Sequence, residues 1–268
     1  MLTELRGKGG CLCRPAKEGK LRCPLIVRPT SEDVITGHLF QVLGAIDARR
    51  WLPGLLNTAL GAPRFRPKVF RRLRIELWKN RPHYPRELLP WDEGSTQVDA
   101  TITWENPPTT VFIEMKYESA PAQRTSQYDQ RHGFPGDQVV RNIRVGLLEC
   151  GWIQTRPLFE STPRDFVFVL IGRKRGEPLI SQYRQPHRVR QAIPHGDRRS
   201  GLPRMPFVGE LGYLDIVQVL RAQSRLLSRA ERRLVADLTE YLEFKVTHSR
   251  WNSSIEQQQI KLMSAGEI

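Results

Sequence analysis

Asp99, Glu114 and Lys116 combine two carboxylates with an ammonium in a spacing that a reactive site could use. They fall in two short runs, Gln97-Val98-Asp99-Ala100-Thr101-Ile102-Thr103-Trp104 and Thr110-Val111-Phe112-Ile113-Glu114-Met115-Lys116-Tyr117. Both runs alternate in the two-residue period of a strand. In the second, Val111, Ile113, Met115 and Tyr117 take one side and Phe112, Glu114, Lys116 and Glu118 the other. In the first, Val98, Ala100, Ile102 and Trp104 are expected on the apolar side, which turns Asp99 to the opposite side with Thr101 and Thr103. Asn106-Pro107-Pro108-Thr109 between the runs is a turn signal, so an antiparallel hairpin is the simplest connection.

Two carboxylates brought together on one face repel each other unless a cation lies between them. A hard divalent ion such as magnesium suits oxygen ligands and keeps waters in its shell, so a phosphate oxygen and an attacking water can share it. Lys116 would stand roughly 7 Å beyond Glu114 along the strand, near enough for its ammonium to orient the water or offset charge on the phosphate. The chemistry this favours is metal-assisted hydrolysis of a phosphodiester. A solvated sheet face with paired surface charges is the alternative.

The Glu-x-Lys pattern occurs twice more, and both copies act as controls. Glu18-Gly19-Lys20 lies in a Gly/Lys/Cys-rich segment without a strand pattern, and Glu243-Phe244-Lys245 lies in a helical one. On a helix, side chains two residues apart diverge by about 200°, so they do not converge on one ion. Only the copy at 114–116 has a strand context and an upstream aspartate strand.

Val-Asp-Ala-Thr-Ile, followed fifteen positions on by Ile-Glu-Met-Lys-Tyr, resembles the active-site hairpin of the PD-(D/E)XK (restriction-endonuclease-like) nuclease superfamily. The resemblance implies an α/β core: a helix, three antiparallel strands, a second helix and another strand. It also implies Mg2+- or Mn2+-dependent cleavage, usually of DNA, with Asp99 and Glu114 as metal ligands and Lys116 positioning the water. Val98 stands where the family often has proline.

Two flanking segments supply further candidates. Ser31 reads as the N-cap of a helix with acids in its first turn and an apolar stripe of Ile35, Leu39, Leu43 and Ile46. Glu32 belongs to that inward side, where many members of the superfamily place a further metal-associated glutamate. Its other reading is complementation of the helix dipole. Downstream, a helix opens after Phe134-Pro135-Gly136, with Val140, Ile143 and Leu147 inward and Gln138 and Arg141 on a neighbouring face. Some relatives carry a glutamine there with a tyrosine four residues later; here that later residue is Asn142, and the alternatives are a capping Asp137 and a solvated Gln138. Asp165–Gly172 is a continuous apolar run of strand length, expected to be buried on both faces. A strand over 68–78 completes the order, with Glu76 expected to pair with Arg72 or Arg74.

At 268 residues and 31.0 kDa, one elaborated domain is expected. Residues 1–24 read as an irregular leader and 25–250 as the domain: a core over about 30–172, an extended basic loop over 173–209 and C-terminal helices over 210–250. Residues 251–268 read as a polar tail, and 118–136 as a polar loop beside the site.

The net charge is +14 and the pI about 10.2. The excess is concentrated: residues 64–86 hold nine Lys/Arg against one acid, and 164–204 hold ten against three. Arginine predominates, which favours forked contacts to phosphate. The expected partner is nucleic acid, held by Arg71, Arg72, Arg141, Arg173, Lys174, Arg175, Arg188 and Arg190 through the backbone and largely without reading sequence. No apolar run approaches membrane-spanning length and the N-terminus lacks a hydrophobic signal core, so a cytoplasmic protein is expected. Cys11, Cys13 and Cys23 would need Cys150 or a distant histidine to complete a zinc site; reduced thiols are the alternative. The histidines show no HExxH spacing, and neither a P-loop nor GxGxxG occurs.

The expected function is therefore a metal-dependent endonuclease acting on DNA. A homodimer, an associated ATPase or helicase and a phage-defence setting are partners and context that the resemblance makes plausible. The rival readings are a non-catalytic nucleic-acid-binding module of the same fold and a basic adaptor for an acidic protein.

Overall fold

The computed structural model describes residues 31–81, 85, 88–89, 91, 94–123, 133–153, 162–194 and 199–247. The leader with Cys11, Cys13 and Cys23, residues 124–132 of the 118–136 loop, and the 251–268 tail lie outside the described residues.

Helix α1 (Glu32–Gly44) begins where expected: the Ser31 hydroxyl accepts the Val34 N–H at 3.3 Å, and Ile35, Leu39 and Leu43 are buried. A second helix, α2 (Ala48–Leu60), follows at once and has no counterpart in the expected order. Asp47 caps its start, and Gly61, at φ 67°, ends it in the left-handed region where glycine is favoured. Trp51, Leu52, Leu55, Leu56 and Ala59 give it a buried stripe at helical spacing.

The sheet is built from β1 (Arg71–Arg81), β2 (Thr96–Glu105), β3 (Thr109–Met115), β4 (Asp165–Gly172) and β5 (Val208–Gly212), hydrogen-bonded in that order. The strands β1, β2 and β3 are antiparallel; β4 runs parallel to β3, and β5 parallel to β4. The β2–β3 hairpin and β4 stand close to the expected residues, but β3 ends at Met115, so Lys116 and Tyr117 lie just beyond the strand; β1 begins three residues later than expected. Between β3 and β4 runs helix α3 (Gln138–Glu149).

The basic segment 173–209 is not an extended loop. It folds into α4 (Pro178–Tyr183) and α5 (Pro186–Ala192), which bury Leu179, Ile180, Tyr183, Val189 and Ala192, and it runs into β5. The prolines that read as breakers occupy the first turn of each helix, where a missing N–H costs nothing. The residues after 209 accordingly open with strand, and only then come α6 (Tyr213–Ala222), a 3-10 turn (Ser224–Leu226) and α7 (Arg229–Thr247).

Helices cover both faces of the sheet. On one face Ala100, Ile102, Trp104, Val111, Ile113 and Met115 pack with α1, α2, α6 and α7. On the other, Phe112, Phe166, Phe168 and Leu170 pack with α3, α4 and α5. Val98 departs from its expected side: it packs in the second cluster with Phe112, not with Ala100. The departure coincides with the end of the β2–β3 ladder at Ala100–Ile113 and with Trp78 on β1, whose φ is 51°. Glu76 pairs with Lys79 at 2.9 Å, not with Arg72, which reaches Glu105 at 3.2 Å.

Candidate active site

The hairpin's ladder stops one residue short of the acids. Beyond the Ala100–Ile113 pair the same register would set Asp99 opposite Glu114; instead Asp99 Oδ2 accepts the Met115 N–H at 2.8 Å. The carboxylate thus replaces a main-chain acceptor and holds the two strand ends together. Asp99 is buried at 2% exposure and Glu114 at 0%.

A wholly buried carboxylate is costly unless its oxygens are satisfied and its charge is matched. Glu114 Oε1 accepts from Gln138 Nε2 at 2.6 Å and from Lys116 Nζ at 2.9 Å; Oε2 accepts from Asn142 Nδ2 at 3.0 Å. Both amides come from the first turns of α3, one helical turn apart on one face. That start is fixed by Asp137, whose carboxylate caps the Val140 N–H at 2.8 Å and accepts the Tyr183 hydroxyl at 2.5 Å. Burial raises the Asp137 pKa, opposed chiefly by the Tyr183 hydrogen bond.

Lys116 also approaches Glu32 Oε2 at 3.6 Å. Glu32 Oε1 accepts the Tyr117 N–H at 3.1 Å and the Ser119 hydroxyl at 2.7 Å, tying α1 to the chain just beyond β3. The expected inward placement of Glu32 therefore stands. Burial works against the ammonium of Lys116, but Glu114, Glu32 and Asp99 outweigh it and hold its pKa above the ordinary lysine value. From behind, Tyr213 donates its hydroxyl to the Lys116 carbonyl at 3.0 Å, and the Tyr117 and Tyr213 rings stack with centroids 6.4 Å apart.

The donors gathered here are carboxylate oxygens, the set a hard divalent cation prefers. Lys116 lies among them and already balances part of their charge. Among the described residues no group of three or more His, Cys, Asp and Glu side chains is placed to hold a metal ion by itself. Magnesium does not require one, because it is commonly held by one or two carboxylates, with waters and substrate phosphate completing its shell. Glu114 and Glu32, both within 4 Å of the Lys116 ammonium, carry carboxylates of that kind. Cys150 is buried, and burial pushes its thiol up to about 12; Cys11, Cys13 and Cys23 of the possible zinc set lie outside the described residues.

A cleft of about 480 Å³ opens beside Lys116, between the 117–121 segment and the turn that follows β4. Arg173, Lys174 and Arg175 line it, so this part of the basic segment reaches the site. The other basic candidates do not line it. Arg71 and Arg72 are exposed on edge strand β1, and Arg188 and Arg190 on α5. Arg141 donates to the Gly94 and Ser95 carbonyls at 2.5 and 2.9 Å.

Sequence reasoning misses Asn142 and Tyr213. Asn142 follows Gln138 by four residues, signal enough to place it on the same face. Tyr213 carries no local signal, since α6 meets the end of β3 only through the folded chain. Compared with known protein families, with curated proteins and with solved structures, the chain finds no match in any of the three.

Proposed function

We propose that the protein is a divalent-metal-dependent endonuclease of the restriction-endonuclease-like type, hydrolysing phosphodiester bonds in DNA with Mg2+ or Mn2+. The observation that carries this reading is the convergence of Glu114 and Glu32 on the Lys116 ammonium, with Asp99 at the adjoining strand end. The mixed five-stranded sheet with helices on both faces and an antiparallel hairpin bearing the acids is compatible with that fold family.

Asp99, Glu114 and Glu32 would hold the cation, which when bound supplies Lewis-acid polarisation of the phosphate and a more acidic water. Gln138 and Asn142 fix the Glu114 carboxylate, so its orientation does not depend on the substrate. Gln138 is thereby a positioning residue, not a direct contact to phosphate or lysine. Lys116 serves as a hydrogen-bond donor to the attacking water or a phosphate oxygen.

The same reading favours a cytoplasmic protein, and a homodimer if both strands of a duplex are cut. An associated ATPase or helicase and a phage-defence setting belong to it as partners and context. Among the described residues no helix is long and apolar enough to cross a membrane.

The test is incubation of plasmid DNA, single-stranded DNA and RNA with the protein in Mg2+, Mn2+ or EDTA, comparing wild type with Asp99→Ala and Lys116→Ala. Metal-dependent cleavage of DNA that falls at least about a hundredfold in each variant is expected, the scale of losing one preorganised electrostatic group. Cleavage indifferent to these substitutions would remove the site as assigned.

A further inference from the structure

The cleft beside Lys116 lies beyond the C-terminal ends of the parallel strands β3 and β4, the place where open α/β sheets receive ligands. Its floor includes Leu170, whose sheet partners are Glu114 on β3 and Glu210 on β5. Paired residues share a face, so Glu114 and Glu210 flank the floor from either side, about 10 Å apart by the standard strand spacing.

Glu210 is buried at 8% exposure, and its Oε2 accepts the Gly176 N–H at 3.0 Å and the Glu177 N–H at 3.1 Å. It therefore pins the turn that carries Arg173, Lys174 and Arg175. The turn is tight: a Cβ on Gly172 would meet the Lys174 carbonyl oxygen at 3.3 Å, and Gly176 adopts φ 108°. The three cations are not equivalent. Arg175 is engaged within the fold, bonded to Asp215 at 2.5 Å and to the Thr58 carbonyl at 3.3 Å. Arg173 and Lys174 have no carboxylate partner among the described residues. Arg173 lines the cleft together with Lys116 and Tyr117.

We infer that this cleft is a subsite for a single-stranded phosphodiester chain next to the bond to be cut, with Arg173 and Lys174 contacting its phosphates and Glu210 holding their turn in place. A volume of about 480 Å³ is of the order that encloses one small ligand. A duplex, whose major groove alone is about 12 Å wide, does not enter it. The inference deepens the nuclease reading and rests on it for the position of the scissile bond, but its test needs no cleavage.

The experiment measures binding of labelled single-stranded DNA, single-stranded RNA and duplex DNA in EDTA, by fluorescence anisotropy over a salt series. Single strands should bind more tightly than the duplex. In Arg173→Ala and Lys174→Ala the slope of log affinity against log salt should flatten by about 0.7 for each phosphate that is no longer neutralised. Glu210→Ala separates positioning from bulk charge: removing an acid would strengthen polyanion binding if charge alone governed, whereas loss of the turn weakens it. Glu210→Gln, which keeps an acceptor, should restore binding.

Unchanged binding and slope in both Arg173→Ala and Lys174→Ala, or a duplex bound at least as tightly as single strands, would overturn the subsite. That result would leave metal-dependent cleavage through Asp99 intact. Conversely, an inactive protein that still shows these binding changes would retain the subsite and lose the nuclease.

Discussion

Replacing Lys116 by methionine separates a metal site from a structural ion pair. Methionine keeps an unbranched side chain but removes the ammonium that lies within 4 Å of both Glu114 and Glu32. Removing one partner of a buried pair costs about 3–5 kcal/mol. Glu114 retains its two amide hydrogen bonds, which puts the expected loss at the lower end, about 3 kcal/mol. At about 2–4 °C per kcal/mol for a chain of this size, the melting temperature in EDTA should fall by about 6–12 °C. Mg2+ should then stabilise the variant more than wild type, because the acids no longer have an ammonium to neutralise them. At about 100 times its Kd the ion returns about 2.7 kcal/mol, most of the loss. The pH dependence follows from the raised Lys116 pKa, where neighbouring acids outweigh burial. The lysine's contribution is complete below its unfolded value near pH 10.4 and fades as pH rises through the higher folded value. The gap between the two proteins should therefore be flat through neutral pH and close only in strong alkali. Thermal melts of both proteins with and without Mg2+ provide the assay. A variant that melts with wild type in EDTA, or ignores Mg2+, would refute the reasoning.

Other perturbations probe the layers around the site. Asn142→Ala leaves Glu114 Oε2 without that donor and Thr96 without its acceptor, so a stability loss of about 1–3 kcal/mol by urea titration and reduced cleavage are expected. The Cys150 thiol, pushed up to about 12 by burial, should resist iodoacetamide at about pH 8 in the native protein and react in denaturant, as read by peptide mass spectrometry. Gly209→Ala would bring a Cβ to 2.5 Å from the Ala59 carbonyl oxygen, a backbone atom at the end of α2 that cannot swing aside. It should cost about 1–3 kcal/mol by thermal melt.

The parts of this fold legible in the sequence are those whose signals are local. The β2–β3 hairpin, β4 and the capped starts of α1 and α3 follow from alternation, an unbroken apolar run, and Ser31 and Asp137 at N-cap positions. Glu114 and Lys116 fall on one face for the same reason. Helix α2 is absent from the expected order although Asp47 and Gly61 bracket it with helix-end chemistry. The 173–209 segment misleads because Pro178 and Pro186 start helices as readily as they stop them. Strand β5 is only five residues long, two of them glycine, and becomes a strand by lying against β4. Val98 changes sides where the ladder ends, a feature of pairing that a period of two does not encode. The links from Glu210 to the basic turn and from Tyr213 to Lys116 join residues far apart in the chain, so spacing alone does not announce them.

In the proposed site Asp99 and Glu114, with Glu32 beside them, hold one divalent cation next to Lys116. Anomalous diffraction from crystals grown with Mn2+ would reveal that ion. A peak is expected within coordination distance, about 2.0–2.2 Å for such small hard ions, of the Asp99 and Glu114 carboxylates, and it should vanish in Asp99→Asn. A peak elsewhere, or none at a concentration that supports cleavage, would contradict the account.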